Sequence, residues 1–385
     1  MIYLDHNATT PLCREARDAM LPWFDDLTGN PSSIHAPGRR ARAAIDDARD
    51  RIAALLGAKP HEIIFTSGGT ESCNLALLGL SRRHRTGRGH LVTAATEHHA
   101  VLHAMRSLAA REGFDLTELS VDASGLIDPE RFAASIKSDT LLASVMVANN
   151  ETGVIQPMEQ LSAICRDRGV LFHTDAVQAF GKIPCLPRDL GVDALSATAH
   201  KFYGPLGAGF LWLRSGLSIE AIQHGGYHEN ERRPGTENVA AIAGMAAAAE
   251  MAVRETGQPW EGSESFRQKG LRERLWSGIK SVRSTAILNA ADAPVLSNTL
   301  NVSFPGCDGE TLLMALDLEG VSASSGSACM VGSIQASHVL LAMGVPEETA
   351  RATVRLSLGR RTTEGEIDAV IKSFQQVLSR QASSH

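Results

Sequence analysis

The sequence has no apolar run close to the roughly 18 uninterrupted residues that a membrane-spanning helix requires. Its N-terminal residues pass directly into mixed polar sequence, without the basic stretch, apolar run and cleavage site of a signal peptide. No internal repeat, coiled-coil heptad or low-complexity tract is present, which excludes scaffold and solenoid architectures. We therefore expect a cytoplasmic protein without a membrane segment.

Cysteine and net charge are also low. The six cysteines form no Cys-x-x-Cys pair and no tight cluster, so we expect reduced thiols and neither a zinc site nor a disulfide framework. The 37 basic and 43 acidic side chains give a net charge of −6, which argues against nucleic acid as the main ligand. Direct contact with nucleic acid is not expected.

Apolar residues from position 62 onward alternate between short strand patterns and longer helical patterns. Helices are predicted at 39–56 and 240–253, where apolar residues recur at a spacing of three and four. The predicted strands lie at 63–65, 91–92, 141–147, 170–172 and 208–213. This alternation indicates βαβ units and a parallel sheet that helices cover on both faces.

The length of 385 residues exceeds that of one average domain. Glycine- and serine-rich breaks follow the helix at 240–253, and strands near 299–304 and 352–358 then belong to an α+β pattern. We predict a large domain over residues 14–256. Residues 1–13 and 257–385 are predicted to form a smaller domain that carries a loop with Cys329.

The first chemical signal is an apolar strand that enters Ser67-Gly68-Gly69-Thr70 and then a helix. A helix N-terminus offers unpaired N–H groups to a phosphate, and glycines let the backbone approach it closely. Many α/β proteins have such turns for steric reasons alone, so this motif leaves both interpretations open.

The second signal is Asp175 at the end of an apolar strand, followed 26 residues later by Lys201. In an open parallel sheet, ligands bind beyond the carboxyl ends of the strands, where Asp175 would lie. Pyridoxal phosphate (PLP) needs a lysine for its Schiff base and an acid that keeps its ring nitrogen protonated. Either residue alone is better explained as a helix cap or a solvated lysine, but the pair favours a PLP site.

Seven motifs in order resemble those of cysteine desulfurases of the NifS/IscS type, over nearly the whole chain. They are Thr-Ser-Gly-Gly-Thr-Glu (66–71), Thr-Glu-His-His (96–99), Asn-Asn-Glu-Thr-Gly (149–153), His-Thr-Asp-Ala-Val-Gln (173–178), Ala-His-Lys-Phe-Tyr-Gly-Pro (199–205), Arg-Pro-Gly-Thr-Glu-Asn (233–238) and Ser-Ser-Gly-Ser-Ala-Cys (324–329). The resemblance implies an α/β fold, the PLP-dependent transferase fold type I of the class V aminotransferase group. Its large domain would hold a mostly parallel seven-stranded sheet covered by helices, beside a smaller α+β domain.

The resemblance also implies site residues. Lys201 would form the Schiff base, Asp175 would bind the ring nitrogen, and Gln178 would donate to the ring hydroxyl oxygen. His98 would stack on the ring and move protons, and it is preferred to His99 because it directly follows Glu97. The remaining cofactor ligands implied, chiefly for the phosphate, are Gly69, Thr70, Thr198 and His200.

The resemblance assigns the substrate carboxylate to Asn150 and Arg355, and the planar fork of arginine suits both carboxylate oxygens. Without the family, Arg355 would pass for an arginine on an edge strand. Thr236 resembles a residue that reaches the phosphate of the neighbouring subunit, which implies a homodimer.

Cys329 lies among small residues that favour a loop, where a thiolate can accept sulfur and carry it to a second protein. A buried, unreactive thiol, as predicted for Cys73, is the other interpretation. The implied activity converts L-cysteine to L-alanine and leaves a persulfide on Cys329 for an iron–sulfur scaffold protein or another acceptor. No metal site is implied, apart from contact of Cys329 with an iron–sulfur cluster during delivery. The alternative is a selenocysteine lyase or an aminotransferase on the same fold.

Overall fold

The computed structural model describes residues 1–25, 28–256, 260–325 and 336–382. The strands of this part of the chain are β1 (Ile2–Tyr3), β2 (Ile63–Thr66), β3 (His90–Ala94), β4 (Asp115–Leu119), β5 (Thr140–Ser144), β6 (Leu171–Asp175), β7 (Ala194–Thr198), β8 (Gly209–Leu213), β9 (Ile287–Leu288), β10 (Thr299–Ser303), β11 (Val321–Ser322) and β12 (Thr353–Ser357). The α-helices are α1 (Arg14–Met20), α2 (Ala36–Leu55), α3 (Gly69–His84), α4 (His99–Glu112), α5 (Pro129–Ser135), α6 (Met158–Asp167), α7 (Pro187–Leu190), α8 (Val239–Thr256), α9 (Glu264–Val282), α10 (Gly309–Leu318), α11 (His338–Ala342), α12 (Glu347–Arg351) and α13 (Glu364–Ala382).

Seven strands form the main sheet in the order β2-β8-β7-β6-β5-β3-β4. All pairs are parallel except those of β8, which runs antiparallel to both β7 and β2. The central strands are buried on both faces, as their apolar sequences require. The predicted fold, with a mostly parallel seven-stranded sheet under helices, is confirmed.

Helices cover the two faces of this sheet. Residues of α3 and α4 pack on one face, around Leu77, Leu80 and Met105. On the other face, residues of α2, α6 and α8 pack together, including Ile45, Leu161 and Met245. The carboxyl ends of the parallel strands therefore remain open at one edge, where the loops after β2, β3, β5, β6 and β7 meet.

A second core lies around the antiparallel sheet β12-β10-β9. It is built from apolar residues of α9, α10 and α13, together with Leu4 from the N-terminal segment. Leu340 and Met343, from α11 and the residue after it, pack in the core of the main sheet instead. The division into domains 14–256 and 1–13 plus 257–385 stays a prediction.

The structure differs from the predicted elements in three places: one strand ends earlier than predicted, and two strands were not predicted. The strand predicted at 141–147 ends at Ser144, because the chain leaves the ladder and lines a cavity with Met146 and Ala148. β4 and β7 were not predicted, since β4 alternates polar residues at a sheet edge and β7 is rich in alanine and serine.

Side-chain hydrogen bonds cap the starts of two helices. The Asp128 side chain accepts the N–H of Glu130 at the start of α5. Thr363 and Glu366 bond reciprocally before α13, as a capping box requires. Among the described helices, none is long and apolar enough to cross a membrane.

Candidate active site

A cavity of about 450 Å³ lies at the carboxyl ends of the parallel strands. Ten of the twelve predicted site residues line it: Gly69, Thr70, His98, Asn150, Asp175, Gln178, Thr198, His200, Lys201 and Arg355. The sheet brings them together because each follows or ends a strand whose carboxyl end faces the same edge, except Arg355, which lies on β12.

Asp175 is the last residue of β6 and is buried. Its carboxyl group accepts the N–H of Val177 at 2.8 Å and the S–H of Cys73 at 3.7 Å. No ion pair within 4 Å reaches it from the described part of the chain. Burial raises the pKa of Asp175, while nearby His98 and Lys201 and the N–H of Val177 lower it. Lys201 acts on this carboxyl group without forming an ion pair with it, and a cation bound against it in the cavity would stabilise its ionised form further.

The N-terminus of α3 faces the same cavity through Gly69 and Thr70. Gly68 precedes the helix, and no side chain caps it. The first N–H groups of the helix are therefore available to an anion. Close backbone packing fixes this turn: a Cβ on Gly209 would lie 2.7 Å from Gly68 Cα, and one on Gly69 would lie 2.7 Å from Val177 Cγ2.

Lys201 projects into the cavity from the short 3₁₀ turn after β7. Its Nζ donates to the carbonyl oxygens of Asn7 and Ala8 at 2.7 and 2.6 Å. These residues belong to the N-terminal segment, which also lines the cavity. No local pattern marks Asn7 as a site residue, because its partners lie about 140 to 350 positions away along the chain.

Two histidines of the cavity are kept neutral. His98 caps α4, and its Nδ1 accepts the N–H of Ala100 at 3.1 Å, which leaves the proton on Nε2. Burial lowers the pKa of His98, although Asp175 raises it. Burial and the charge of Lys201 lower the pKa of His200 to about 4. Both rings can therefore donate or accept hydrogen bonds without carrying a charge at neutral pH.

Arg355 is buried on β12, with only 3% of its surface exposed. Its Nη2 pairs with Asp5 at 2.7 Å, and its Nη1 donates to the carbonyl oxygen of Asn150 at 3.0 Å. Its Nε has no hydrogen-bond partner in the described part of the protein. A buried N–H without an acceptor is costly, so this group is suited to an anion in the cavity.

Two predicted site residues are not among those that line the described cavity. Thr236 is exposed and does not line the cavity. Contact with a second subunit would require such an exposed position. Cys329 lies outside the described residues. The roles assigned to the predicted site residues stay predictions.

A model of the family "aminotransferase class-V" matches residues 2–370. The chain belongs to the class-V aminotransferases. It is 44% identical over 379 residues to cysteine desulfurase IscS of Dictyoglomus turgidum, covering 98% of this chain and 95% of that protein. A solved NifS-like protein matches with a TM-score of 0.90 and 36% identity, over 98% and 99% of the two chains. SspA in complex with cysteine matches with a TM-score of 0.81 and 35% identity, over 93% and 99%. Within the family, the chain is therefore of the NifS/IscS type.

The described cysteines of this class-V aminotransferase are poor nucleophiles. Burial raises the pKa of Cys165 and Cys185 to about 12, and it raises the pKa of Cys73 well above its ordinary value. The pKa values of Cys13 and Cys307 are also raised by burial. A thiol with a raised pKa contains little thiolate at neutral pH and attacks sulfur slowly.

Glu97, beside His98, is a buried acid that sequence reasoning did not single out. Its Oε1 accepts the N–H of Met146 at 2.6 Å, and its Oε2 has no partner among the described residues. Burial raises the pKa of Glu97 well above its ordinary value, and the nearby charge of Asp175 adds to this effect. Burial in this class-V aminotransferase therefore favours the protonated form of the Glu97 carboxyl group, next to the cavity residue His98.

We expect Glu97→Gln to become more stable, relative to the wild type, as pH rises above 4.5. Folded wild type keeps the Glu97 proton at pH values where the unfolded chain has released it, so its stability falls with pH. Glutamine does not titrate and removes this loss, which is roughly 1 kcal/mol per pH unit up to the folded pKa.

Urea unfolding of both proteins at pH 5 and pH 8 measures this difference. Glu310→Gln is the control, because Glu310 is exposed and should show no such change between the two pH values. A Glu97→Gln difference that is the same at both pH values would show that Glu97 is ionised in the folded protein.

Proposed function

We propose that this protein is a PLP-dependent cysteine desulfurase. It converts L-cysteine to L-alanine and transfers the sulfur to Cys329 as a persulfide for an acceptor protein. The observation that supports this most strongly is that a single cavity contains the Lys201 amine and the buried Asp175 carboxyl group, which acts on that amine electrostatically.

The residues of the cavity fit PLP. Asp175 would bind the protonated ring nitrogen, a cation that stabilises this buried carboxylate. The uncapped N-terminus of α3 would bind the phosphate, together with Thr198 and His200. Gln178 would donate to the ring hydroxyl oxygen, and the Lys201 amine would hold the cofactor covalently.

When bound, PLP withdraws electrons from the α-carbon of the amino acid attached to it and so weakens the bonds at that carbon. Lys201 Nζ is the amine in position to take the Cα proton and return a proton to the product. His98 Nε2 carries the proton of a neutral imidazole, so it can protonate a leaving group or the product. Asn7 and Ala8 hold the Lys201 amine through their carbonyl oxygens before substrate arrives.

The substrate carboxylate would lie against Arg355. The Nε–H of Arg355, which has no acceptor among the described residues, would donate a hydrogen bond to this carboxylate. The carbonyl oxygen of Asn150 and the carboxylate of Asp5 hold the other two nitrogens of the guanidinium group in place. The Asn150 side chain lines the cavity and would supply a second donor. This fixed position orients the substrate amine toward Lys201.

Cys329 would receive the sulfur because the five cysteines outside the 326–335 segment all have raised pKa values. Its thiolate forms a bond to the substrate sulfur while the bond from that sulfur to Cβ breaks. The electron pair stays with the carbon skeleton, which is protonated and leaves as alanine. The persulfide then passes its outer sulfur to an acceptor, such as an iron–sulfur scaffold protein.

Two further parts of the proposal concern assembly and location. The exposed position of Thr236 is compatible with a homodimer in which this residue reaches the cofactor phosphate of the neighbouring subunit. We also propose a cytoplasmic location. Analytical ultracentrifugation of the holoenzyme tests the dimer.

The activity is tested by supplying the purified, PLP-loaded protein with L-cysteine, L-selenocysteine, or L-alanine plus a 2-oxoacid. A desulfurase releases alanine and sulfane sulfur in equal amounts from L-cysteine. Turnover of L-selenocysteine at least about a hundredfold faster than of L-cysteine would indicate a lyase. Amino-group transfer to the 2-oxoacid as the main reaction would indicate an aminotransferase.

A further inference from the structure

Lys182 is a second lysine beside the cavity, and neither the predicted site nor the proposed mechanism uses it. It does not line the cavity that contains Lys201 but a separate, smaller one of about 30 Å³. Its Nζ donates to Gln178 Oε1 at 2.8 Å and to Asn7 Oδ1 at 3.1 Å. Gln178 and Asn7 both line the main cavity, so Lys182 contacts that cavity only through them.

Main-chain carbonyl oxygens, which can only accept hydrogen bonds, identify the NH₂ side of both amides. Gln178 Nε2 donates to Asn7 O at 2.9 Å, and Asn7 Nδ2 donates to Asn150 O at 3.2 Å. The two amide NH₂ groups are therefore on the sides facing these carbonyls, and both amide oxygens face Lys182. Lys182 must be the donor in both of its hydrogen bonds.

This arrangement does not depend on the charge of Lys182. Burial, together with the charges of Lys201 and Arg355, lowers the pKa of Lys182 to about 7. A neutral amine still has two N–H bonds, one for each amide oxygen. The two bonds are therefore available on both sides of neutral pH.

This arrangement leaves the second N–H of the Gln178 amide available to the cavity. One N–H of its amide bonds Asn7 O, and the other has no acceptor in the described part of the chain. Since Gln178 is buried and lines the cavity, this N–H is available to a ligand there. Asn7 O is also the acceptor of the Lys201 amine, so the same network positions both groups.

We propose that Lys182 is a positioning residue of the active site, which acts through Gln178 and Asn7. It keeps the amide of Gln178 turned so that an N–H, and not a carbonyl oxygen, faces the ring hydroxyl oxygen of PLP. The inference rests on the proposed function, because it assumes that PLP occupies this cavity. Without Lys182, the buried Gln178 Oε1 loses its donor, and only the bond to Asn7 O still holds the amide of Gln178. Asn7 Oδ1 keeps its bond from Asn298 Nδ2.

The test compares Lys182→Met with Lys182→Gln in the PLP-loaded protein. Methionine fills a similar volume without a donor, whereas glutamine keeps an N–H donor without the charge. We expect Lys182→Met to raise the dissociation constant for PLP about tenfold. Its visible absorption band should titrate at a pH higher by about half a unit, because the ring oxygen loses a donor. Lys182→Gln should retain wild-type values for both.

Two controls separate this effect from general damage. Lys280→Met removes a lysine whose Nζ donates to Ala286 O away from the cavity, and it should change neither quantity. Gln178→Leu should produce the shifts of Lys182→Met, and the double variant should add little to them. If Lys182→Met does not fold, Lys182→Thr takes its place, since its hydroxyl is too short to reach either oxygen.

Three results would overturn the inference. Wild-type titration and affinity in Lys182→Met or Lys182→Thr would show that Gln178 keeps its orientation without Lys182. Equal shifts in Lys182→Gln and Lys182→Met would show that an N–H donor at position 182 does not position the amide of Gln178. A wild-type protein that takes up no PLP would overturn the proposed function itself, and it is distinguished from the first two results by the missing visible band.

Discussion

A Lys201→Ala variant is expected to form alanine from L-cysteine at least about a thousandfold more slowly than the wild type. Lys201 is the only amine side chain among the described residues that line the cavity. Its loss removes both the covalent attachment of PLP and the base for the Cα proton, and proton transfer alone contributes roughly 10² to 10⁴ in rate. Alanine formation at saturating PLP measures the effect.

The attachment site gives an independent measurement. Borohydride reduction of the PLP-loaded wild type should place a pyridoxyl group on the peptide that contains Lys201, and mass spectrometry of Lys201→Ala should find none there. Lys280→Ala serves as the matched control and should keep both activity and label, because Lys280 bonds Ala286 far from the cavity lining. A pyridoxyl group on another lysine of the wild type would refute the role of Lys201.

Replacement of Cys329 by serine should reduce sulfur release from L-cysteine by roughly a thousandfold, as expected when a nucleophile that acts in the chemical step is lost. The visible spectrum of bound PLP should remain unchanged, since Cys329 is not among the groups proposed to hold the cofactor. Sulfide release in the presence of a thiol reductant measures the first quantity, and absorbance measures the second.

Cys307→Ser is the control for a general loss of thiol content. Cys307 is half-buried, and burial raises its pKa, so its removal should leave sulfur release close to the wild-type rate. If Cys329→Ser still releases sulfur at a wild-type rate, the reaction does not pass through a persulfide on this residue. A lyase or an aminotransferase on the same scaffold would then explain the site better.

The agreement between sequence and structure is closest where a local pattern carries the information. Asp175 ends β6 and Gly69 begins α3, as the strand and glycine patterns predicted. Lys201 lies in the same cavity although it is 26 residues from Asp175, because β6 and β7 are parallel neighbours that end at one edge. The order of the motifs therefore predicted the fold class and most of the residues that line the cavity.

The contacts that hold the site together could not be read from the sequence. Asn7 receives bonds from Gln178, Lys182 and Lys201, which lie more than 170 positions away. Nothing in the residues around Asn7 indicates these partners, because they depend on how the N-terminal segment crosses the strand ends. Arg355 and Asp5, which form an ion pair, are also far apart in sequence. This ion pair gives the buried Arg355 side chain on β12 a fixed orientation.

By itself, the amino-acid sequence determined the βαβ pattern, the strand-end acid, the lysine and the glycine turn, since each depends on neighbouring residues and on the periodicity of strands and helices. Tertiary structure alone decided which groups are left without partners, such as Arg355 Nε, and which pKa values are displaced, such as that of Glu97. The reason is physical: burial and hydrogen bonding are set by packing between distant segments, and they determine the free energy of a charge or a donor at each position.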